Sequence, residues 1–126
     1  MIDIDDQGDV RVVTLDRADR RNAITLAGLE ALEVAARDPP TPVIYLRGSG
    51  VAFCAGADLE TVGSLATEGG VEPFVRQGQR TADAIESSPA TVSAGIDGAA
   101  RGGGIELALA CDLRVATLDA TFGEPG

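Results

Sequence analysis

The stretch GAARGGGIELA, residues 98–108, decides how this sequence is interpreted. Three consecutive glycines, Gly102 to Gly104, precede a helical pattern, and glycine lets another group approach the backbone closely. The first N–H groups of a helix have no partner within the helix and lie at the positive end of its dipole. Glu106 follows Gly103 by three residues and shares its helical face. The stretch predicts either a carboxylate beside a free N–H donor, or simply a tight turn followed by an ordinary acidic first-turn residue.

A second stretch, AFCAGADL at residues 52–59, offers a similar arrangement. Its small residues end at Asp58, a residue type favoured at helix N-termini, so we expect a short helix over residues 59–62. The N–H of Ala57 would then point outward just before that helix. The simpler alternative is a plain loop with a capped helix. Two backbone donors about 3 Å from one oxygen form an oxyanion hole, and together the two stretches favour the formation of an enolate from a thioester.

The hydrophobic pattern around these stretches predicts strands that alternate with helices. Residues 2–15 predict an opening β-hairpin, and apolar runs at 43–46, 91–96 and 113–116 predict further strands, the first two buried on both faces. Helices are predicted at 26–37, 72–87 and 102–110, with connections at 47–57 and 63–70. This alternation indicates an α/β fold with largely parallel pairing, and 126 residues predict one domain, 1–126.

The composition excludes several kinds of catalytic site. The sequence has no histidine, and all ten of its basic residues are arginine. Ser-His-Asp and Cys-His catalysis, His-ligated metal sites, P-loop lysines and Schiff-base lysines are therefore impossible. The glycine run also lacks the G-x-G-x-x-G order of a dinucleotide-binding fingerprint. Two cysteines cannot supply a four-cysteine zinc site, so no metal is expected.

The charge balance indicates which partners to expect. Ten arginines against twenty acidic residues give a net charge of −10, which argues against nucleic acid or an anionic membrane surface. No apolar run approaches the ~18 residues of a membrane span, and the N-terminus is acidic, so we expect a cytoplasmic protein. In that compartment Cys54 and Cys111 are predicted to be buried free thiols, the alternative being a disulfide.

Several stretches together resemble the crotonase superfamily, the enoyl-CoA hydratase/isomerase family. They occur in the order typical of that family and cover nearly the whole chain. The matching stretches are LDR through RNAI (15–24), AFCAGADL (52–59), GAARGGGIELA (98–108), ACD (110–112) and ATFGEP (120–125). The resemblance implies a crotonase-like spiral of ββα units, of which this chain is the N-terminal part, incomplete at the C-terminus.

The resemblance also implies the roles of individual residues. The N–H groups of Ala57 and Gly103 would form the oxyanion hole for an acyl-CoA thioester carbonyl, and Glu106 matches one of two acid/base glutamates. Arg20, Arg21 or Arg47 would meet the phosphates of coenzyme A, or stay solvated. Residues expected to contact the substrate are Arg21, Ala23, Ala55, Gly56, Ala57, Asp58, Leu59, Gly102 and Gly103. Coenzyme A is then part of the substrate, and no separate cofactor is expected.

The sequence departs from the family pattern at the position of the second glutamate, where it has Gly126. Glycine cannot transfer protons. Either the second acid/base group is missing, or Glu124 takes its role. We expect hydration of a 2-enoyl-CoA, with isomerisation by a single carboxylate as the runner-up and a non-catalytic acyl-CoA-binding protein as the third possibility. By resemblance, the full-length chain would assemble as a trimer or hexamer.

Overall fold

The computed structural model describes residues 1–58, 63 and 70–123 of the chain. Its strands are β1 (Ile2–Gln7), β2 (Val10–Leu15), β3 (Val43–Gly48), β4 (Ala52–Cys54), β5 (Thr91–Ile96), β6 (Ala99–Arg101), β7 (Leu113–Ala116) and β8 (Thr121–Gly123). Its helices are α1 (Leu26–Arg37), α2 (Val71–Glu86) and α3 (Gly103–Ala110), with a 3-10 turn at Ala18–Arg20. Every helix in these described ranges is too short or too polar to span a bilayer.

The strands form two sheets, one of five strands and one of three. The larger sheet has the order β1-β2-β3-β5-β7, and the smaller one has the order β4-β6-β8. Only β1 and β2 pair antiparallel, as the predicted hairpin, and all other pairs are parallel. After the β1–β2 hairpin, which lies wholly in the larger sheet, each following pair of strands adds its first strand to the larger sheet and its second strand to the smaller one. The predicted spiral of ββα units is therefore confirmed.

The core lies between the helices and one face of the larger sheet. Val13, Leu46 and Ala94 are register partners on three neighbouring strands, and each is at most 1% exposed. The prediction that β3 is buried on both faces is wrong, because Tyr45 and Arg47 alternate with the buried residues and are exposed. In β5, likewise, only Val92, Ala94 and Ile96 are fully buried. Among the described elements, the helices cover only one face of this sheet.

Three strands, β4, β6 and β8, were not predicted from the sequence. Each has three residues, which is too short for a period-two pattern to stand out. β4 lies inside the predicted connection 47–57, and β6 occupies the small residues before the glycine run. These strands bring the two candidate stretches together, because β4 and β6 are hydrogen-bonded neighbours.

Helices α1 and α2 are joined by buried hydrogen bonds between polar groups. Thr81, completely buried, donates its hydroxyl to the Leu29 carbonyl at 2.8 Å. The buried Gln77 amide donates to the Glu33 carboxylate, also at 2.8 Å. This bond, together with the Arg37 guanidinium, holds the pKa of Glu33 below its usual range. Unpaired buried polar groups are costly, so these bonds fix α2 against α1.

The two cysteines are buried free thiols, as predicted. Burial raises the pKa of Cys54 to about 11 and that of Cys111 to about 12, because the apolar surroundings disfavour the thiolate. Cys54 lies at the end of β4, directly beneath the glycine run. With so little thiolate at neutral pH, both side chains act as small apolar groups of the core.

Candidate active site

The glycine run forms the turn that starts α3. Gly102 is the N-cap with φ of 48°, a conformation that favours glycine, and its carbonyl accepts from the N–H groups of Ile105 and Glu106 at 3.0 and 3.2 Å. A Cβ at Gly104 would lie 2.4 Å from the Cys54 carbonyl oxygen, so α3 can approach β4 only with glycine there. The prediction of close backbone approach is therefore confirmed.

The N–H of the half-buried Gly103 is an unused donor at the start of α3. Within the described residues it donates to no backbone or side-chain acceptor, as expected for the first residue of a helix. A Cβ added to Gly103 would meet no heavy atom within 4 Å. An alanine at this position would therefore collide with no described protein atom.

A second unused donor lies in the loop after β4. Ile24 pairs with Ala57 as an isolated parallel bridge, in which the Ile24 N–H donates to the Gly56 carbonyl and the Asp58 N–H donates to the Ile24 carbonyl, at 2.8 and 2.9 Å. This pattern leaves the N–H of Ala57 pointing away from Ile24. In the part of the chain that the structure describes, that N–H has no acceptor.

The two donor segments touch each other. Gly56 has φ of 101°, and a Cβ there would lie 3.0 Å from the Arg101 carbonyl oxygen and 3.7 Å from the Gly103 nitrogen. The loop that carries Ala57 is therefore packed against the turn that carries Gly103. This contact follows from the parallel pairing of β4 with β6.

Ala57, Gly103 and Glu106 all line one cavity of about 350 Å³. Glu106 is exposed, and its carboxylate has no hydrogen-bond or ion-pair partner among residues 1–58, 63 and 70–123. The rest of the lining is mainly apolar. The cavity is lined by Ile24, Leu29, Ala57, Phe74, Val75, Gly78, Gln79, Ala82, Gly103, Glu106 and Leu107. The three residues predicted to be catalytic are thus brought to one place, although their roles remain predictions.

Of the predicted substrate-binding residues that the structure describes, only Ala57 and Gly103 line the cavity, and the others lie in the neighbouring loops. Arg21 is exposed, and its carbonyl accepts from the Ala55 N–H at 3.0 Å. Ala23 and Ala55 are half-buried, Gly102 forms the turn, and Gly56 is buried beneath it. The helix predicted over residues 59–62, the contact predicted for Leu59, and Glu124 and Gly126 all lie outside the described residues.

Two polar side chains of these segments have partners that the sequence did not indicate. Asp58 is buried, and its carboxylate forms an ion pair with the Arg17 guanidinium, which also donates to the Ala23 carbonyl at 3.1 Å. Arg47 donates to Thr14 on the other face of the larger sheet and lines a separate cavity there. The suggestion that Arg47 meets substrate phosphates is therefore not supported by its position.

Asn22 is a structural residue of the site that sequence reasoning missed. It is completely buried with φ of 57°. Its amide donates to the carbonyls of Ser49 and Ala52 at 2.8 and 2.9 Å, and its oxygen accepts from the Arg17 N–H at 2.8 Å. Asn22 therefore joins the Arg17–Ile24 loop to the ends of β3 and β4. The available signal was its residue type, since asparagine is enriched at positive φ.

We expect the variant Asn22→Gly to lower the free energy of unfolding by about 2–4 kcal/mol, because three buried or partly buried backbone groups lose their partners. Glycine tolerates the positive φ, so the loss reports the side chain and not backbone strain. Urea denaturation measures it. Arg21→Gly is the matched control, since Arg21 has φ of 52° but is exposed, and its effect should stay within about 0.5 kcal/mol. Equal losses for the two variants would contradict the role of Asn22.

Comparison with known proteins agrees with this geometry. A sequence profile described as enoyl-CoA hydratase/isomerase matches residues 5–126. An enoyl-CoA isomerase/hydratase of Mycosarcoma maydis is 40% identical in a 116-residue alignment that covers 82% of this chain and 42% of that protein. The human mitochondrial enoyl-CoA hydratase domain-containing protein 2 is 40% identical in a 124-residue alignment that covers 94% of this chain and 41% of that protein.

Solved structures show the same similarity. An enoyl-CoA hydratase from Bacillus anthracis superposes with a TM-score of 0.89 at 36% identity, covering 98% of this chain and 50% of that structure. This chain spans about half the length of the curated relatives it matches. Fold, motifs and profile agree: the chain belongs to the enoyl-CoA hydratase/isomerase family.

Proposed function

We propose that this chain forms the oxyanion hole and one acid/base group of an enzyme that acts on acyl-CoA thioesters. The observation that carries this proposal is the meeting of two unused backbone donors, Ala57 and Gly103, with the Glu106 carboxylate on one cavity. A thioester carbonyl that accepts from both N–H groups would be stabilised as its oxygen becomes negative. Coenzyme A would enter as part of the substrate, and the exposed Arg21, whose carbonyl accepts from the Ala55 N–H, would meet its phosphates.

The proposed reaction is the hydration of a 2-enoyl-CoA. Glu106 takes a proton from water, whose oxygen bonds to the β-carbon, and the electrons of the double bond move onto the carbonyl oxygen as an enolate. The two N–H groups stabilise that enolate. The protonated Glu106 then gives this proton to the α-carbon, which completes the addition of one water molecule and returns the carboxylate to its starting state. The mainly apolar lining would lower the local dielectric around a bound substrate and so strengthen these electrostatic interactions.

Isomerisation of a 3-enoyl-CoA is the second candidate. The observation that favours it is that Glu106 is the one carboxylate in the lining formed by the described residues. A single carboxylate can remove a proton from the α-carbon and return it to the γ-carbon, which moves the double bond without adding water. The same two N–H donors stabilise the intermediate enolate.

The two reactions are separated by following the conjugated enoyl thioester. We expect crotonyl-CoA to lose its conjugated absorbance as water adds, whereas a 3-enoyl-CoA would gain conjugated absorbance if isomerisation prevails. Free crotonate, which lacks coenzyme A, is the control and should not react. Failure of acyl-CoA to bind in equilibrium dialysis would contradict the proposal, and binding without turnover of either substrate would favour an acyl-CoA-binding protein.

A further inference from the structure

Gly78 lies in the middle of α2 and lines the cavity that holds Ala57, Gly103 and Glu106. α2 contributes five of the lining residues: Phe74, Val75, Gly78, Gln79 and Ala82. A glycine inside a helix weakens it, because the flexible backbone loses more entropy on folding than that of alanine. Its presence at this position therefore calls for a physical reason.

Neither the backbone nor the packing requires glycine at residue 78. The φ of Gly78 is not positive, and the residues on both sides of it are helical. A Cβ there would meet only Leu29 Cδ1, at 4.0 Å, which is ordinary van der Waals contact. Gly104 is the contrasting case, since a Cβ there would collide with the Cys54 carbonyl. What glycine provides at residue 78 is empty space in the cavity wall.

The position of this wall is fixed. Thr81 and Gln77, which flank Gly78 on α2, bond to the Leu29 carbonyl and the Glu33 carboxylate of α1. Moving α2 outward would break buried hydrogen bonds. A side chain added at residue 78 would therefore take volume from the cavity and not be absorbed by a shift of the helix.

The chemistry of an acyl-CoA indicates which part of it enters this space. With the thioester carbonyl at the Ala57 and Gly103 donors, the sulfur leads to the large, phosphate-bearing coenzyme A, which needs solvent. The other direction from the carbonyl leads to the apolar acyl chain. Ile24, Leu29, Phe74 and Leu107 supply the matching apolar surface, and burying it is favourable.

We infer that Gly78 is a specificity-determining residue, whose missing side chain leaves room for the acyl chain beyond the thioester. This inference rests on the proposed function. It adds that α2 selects the substrate by its acyl chain. Compared with a residue that has a side chain, glycine at this position makes the helix less stable and the cavity larger. Such an exchange of stability for function is common at binding sites.

The test is calorimetric titration with butyryl-CoA and decanoyl-CoA, two saturated thioesters that bind without reacting. In the wild-type chain we expect decanoyl-CoA to bind more tightly than butyryl-CoA. Gly78→Leu should reduce this preference by about 10–100-fold, mainly by weakening decanoyl-CoA, because each methylene that loses its place costs roughly 10-fold or more. Gly78→Ala should lower the preference for decanoyl-CoA less than Gly78→Leu does, and should raise the thermal midpoint by about 3–6 °C.

Asp83→Leu is the matched control, since it adds the same side chain to an exposed position of α2 outside the cavity lining. It should leave the preference unchanged. Wild-type preference in a folded Gly78→Leu variant, or in Gly78→Ala if the leucine variant does not fold, would overturn the inference and leave the proposed function intact. Absence of binding of both thioesters to the wild-type chain would overturn the proposed function itself.

Discussion

Replacement of Glu106 by glutamine should lower the turnover of an enoyl-CoA by about 10²–10⁴-fold, which is the usual contribution of an acid/base group. Glutamine keeps the size and hydrogen-bonding capacity of the side chain but cannot transfer a proton. Glu106 is exposed on the cavity, and within the described residues its carboxylate has no hydrogen-bond or ion-pair partner, so only its place in the first turn of α3 favours the charge slightly. The free energy of unfolding should therefore stay within about 0.5 kcal/mol of the parent value.

The measurement is kcat with crotonyl-CoA and with a 3-enoyl-CoA, alongside binding of butyryl-CoA. We expect kcat to fall while thioester binding changes little, because a residue that acts only in the transition state affects turnover and not ground-state affinity. Glu86→Gln, an exposed acid at the end of α2 outside the cavity, is the control. Turnover by Glu106→Gln at the level of Glu86→Gln would remove Glu106 from the mechanism.

Regular elements of this fold could be predicted from local sequence patterns. Thr25 caps α1 as expected, through a bond from the Gly28 N–H at 3.0 Å, and β5 and β7 have the predicted bounds. These elements are long enough, or have clear enough ends, for periodicity and capping to define them. The burial of β3 could not be predicted, because an apolar run does not say how many of its faces will be covered.

The candidate site was predictable in its parts but not in its assembly. Each donor segment could be identified from small residues before a helix start, and the resemblance to the family supplied their common purpose. Their contact depends on β4 and β6, which are three residues each and carry no pattern of their own. Asn22 bonds to carbonyls 27 and 30 residues away. Such long-range contacts, like the cavity wall at Gly78, become visible only in three dimensions.

The Gly103 N–H can be removed with little disturbance of the helix. Gly103 is the first residue of α3, a position where proline is well tolerated because its missing N–H has no partner within the helix. Gly103→Pro should therefore fold, yet lose one of the two donors to the carbonyl oxygen. Loss of one oxyanion donor costs about 10²–10³-fold in kcat. The residual rate would come from the Ala57 donor and Glu106.

Gly103→Ala separates the donor from the glycine. It keeps the N–H, and its Cβ would meet no heavy atom within 4 Å, so kcat should stay close to the parent value. The direct readout is the absorbance of bound cinnamoyl-CoA, which shifts to longer wavelength when hydrogen bonds polarise its carbonyl. We expect this shift in the parent and in Gly103→Ala, and a smaller one in Gly103→Pro. An undiminished shift and rate in a folded proline variant would mean that the carbonyl oxygen is held elsewhere, and the pairing of Ala57 with Gly103 would have to be abandoned.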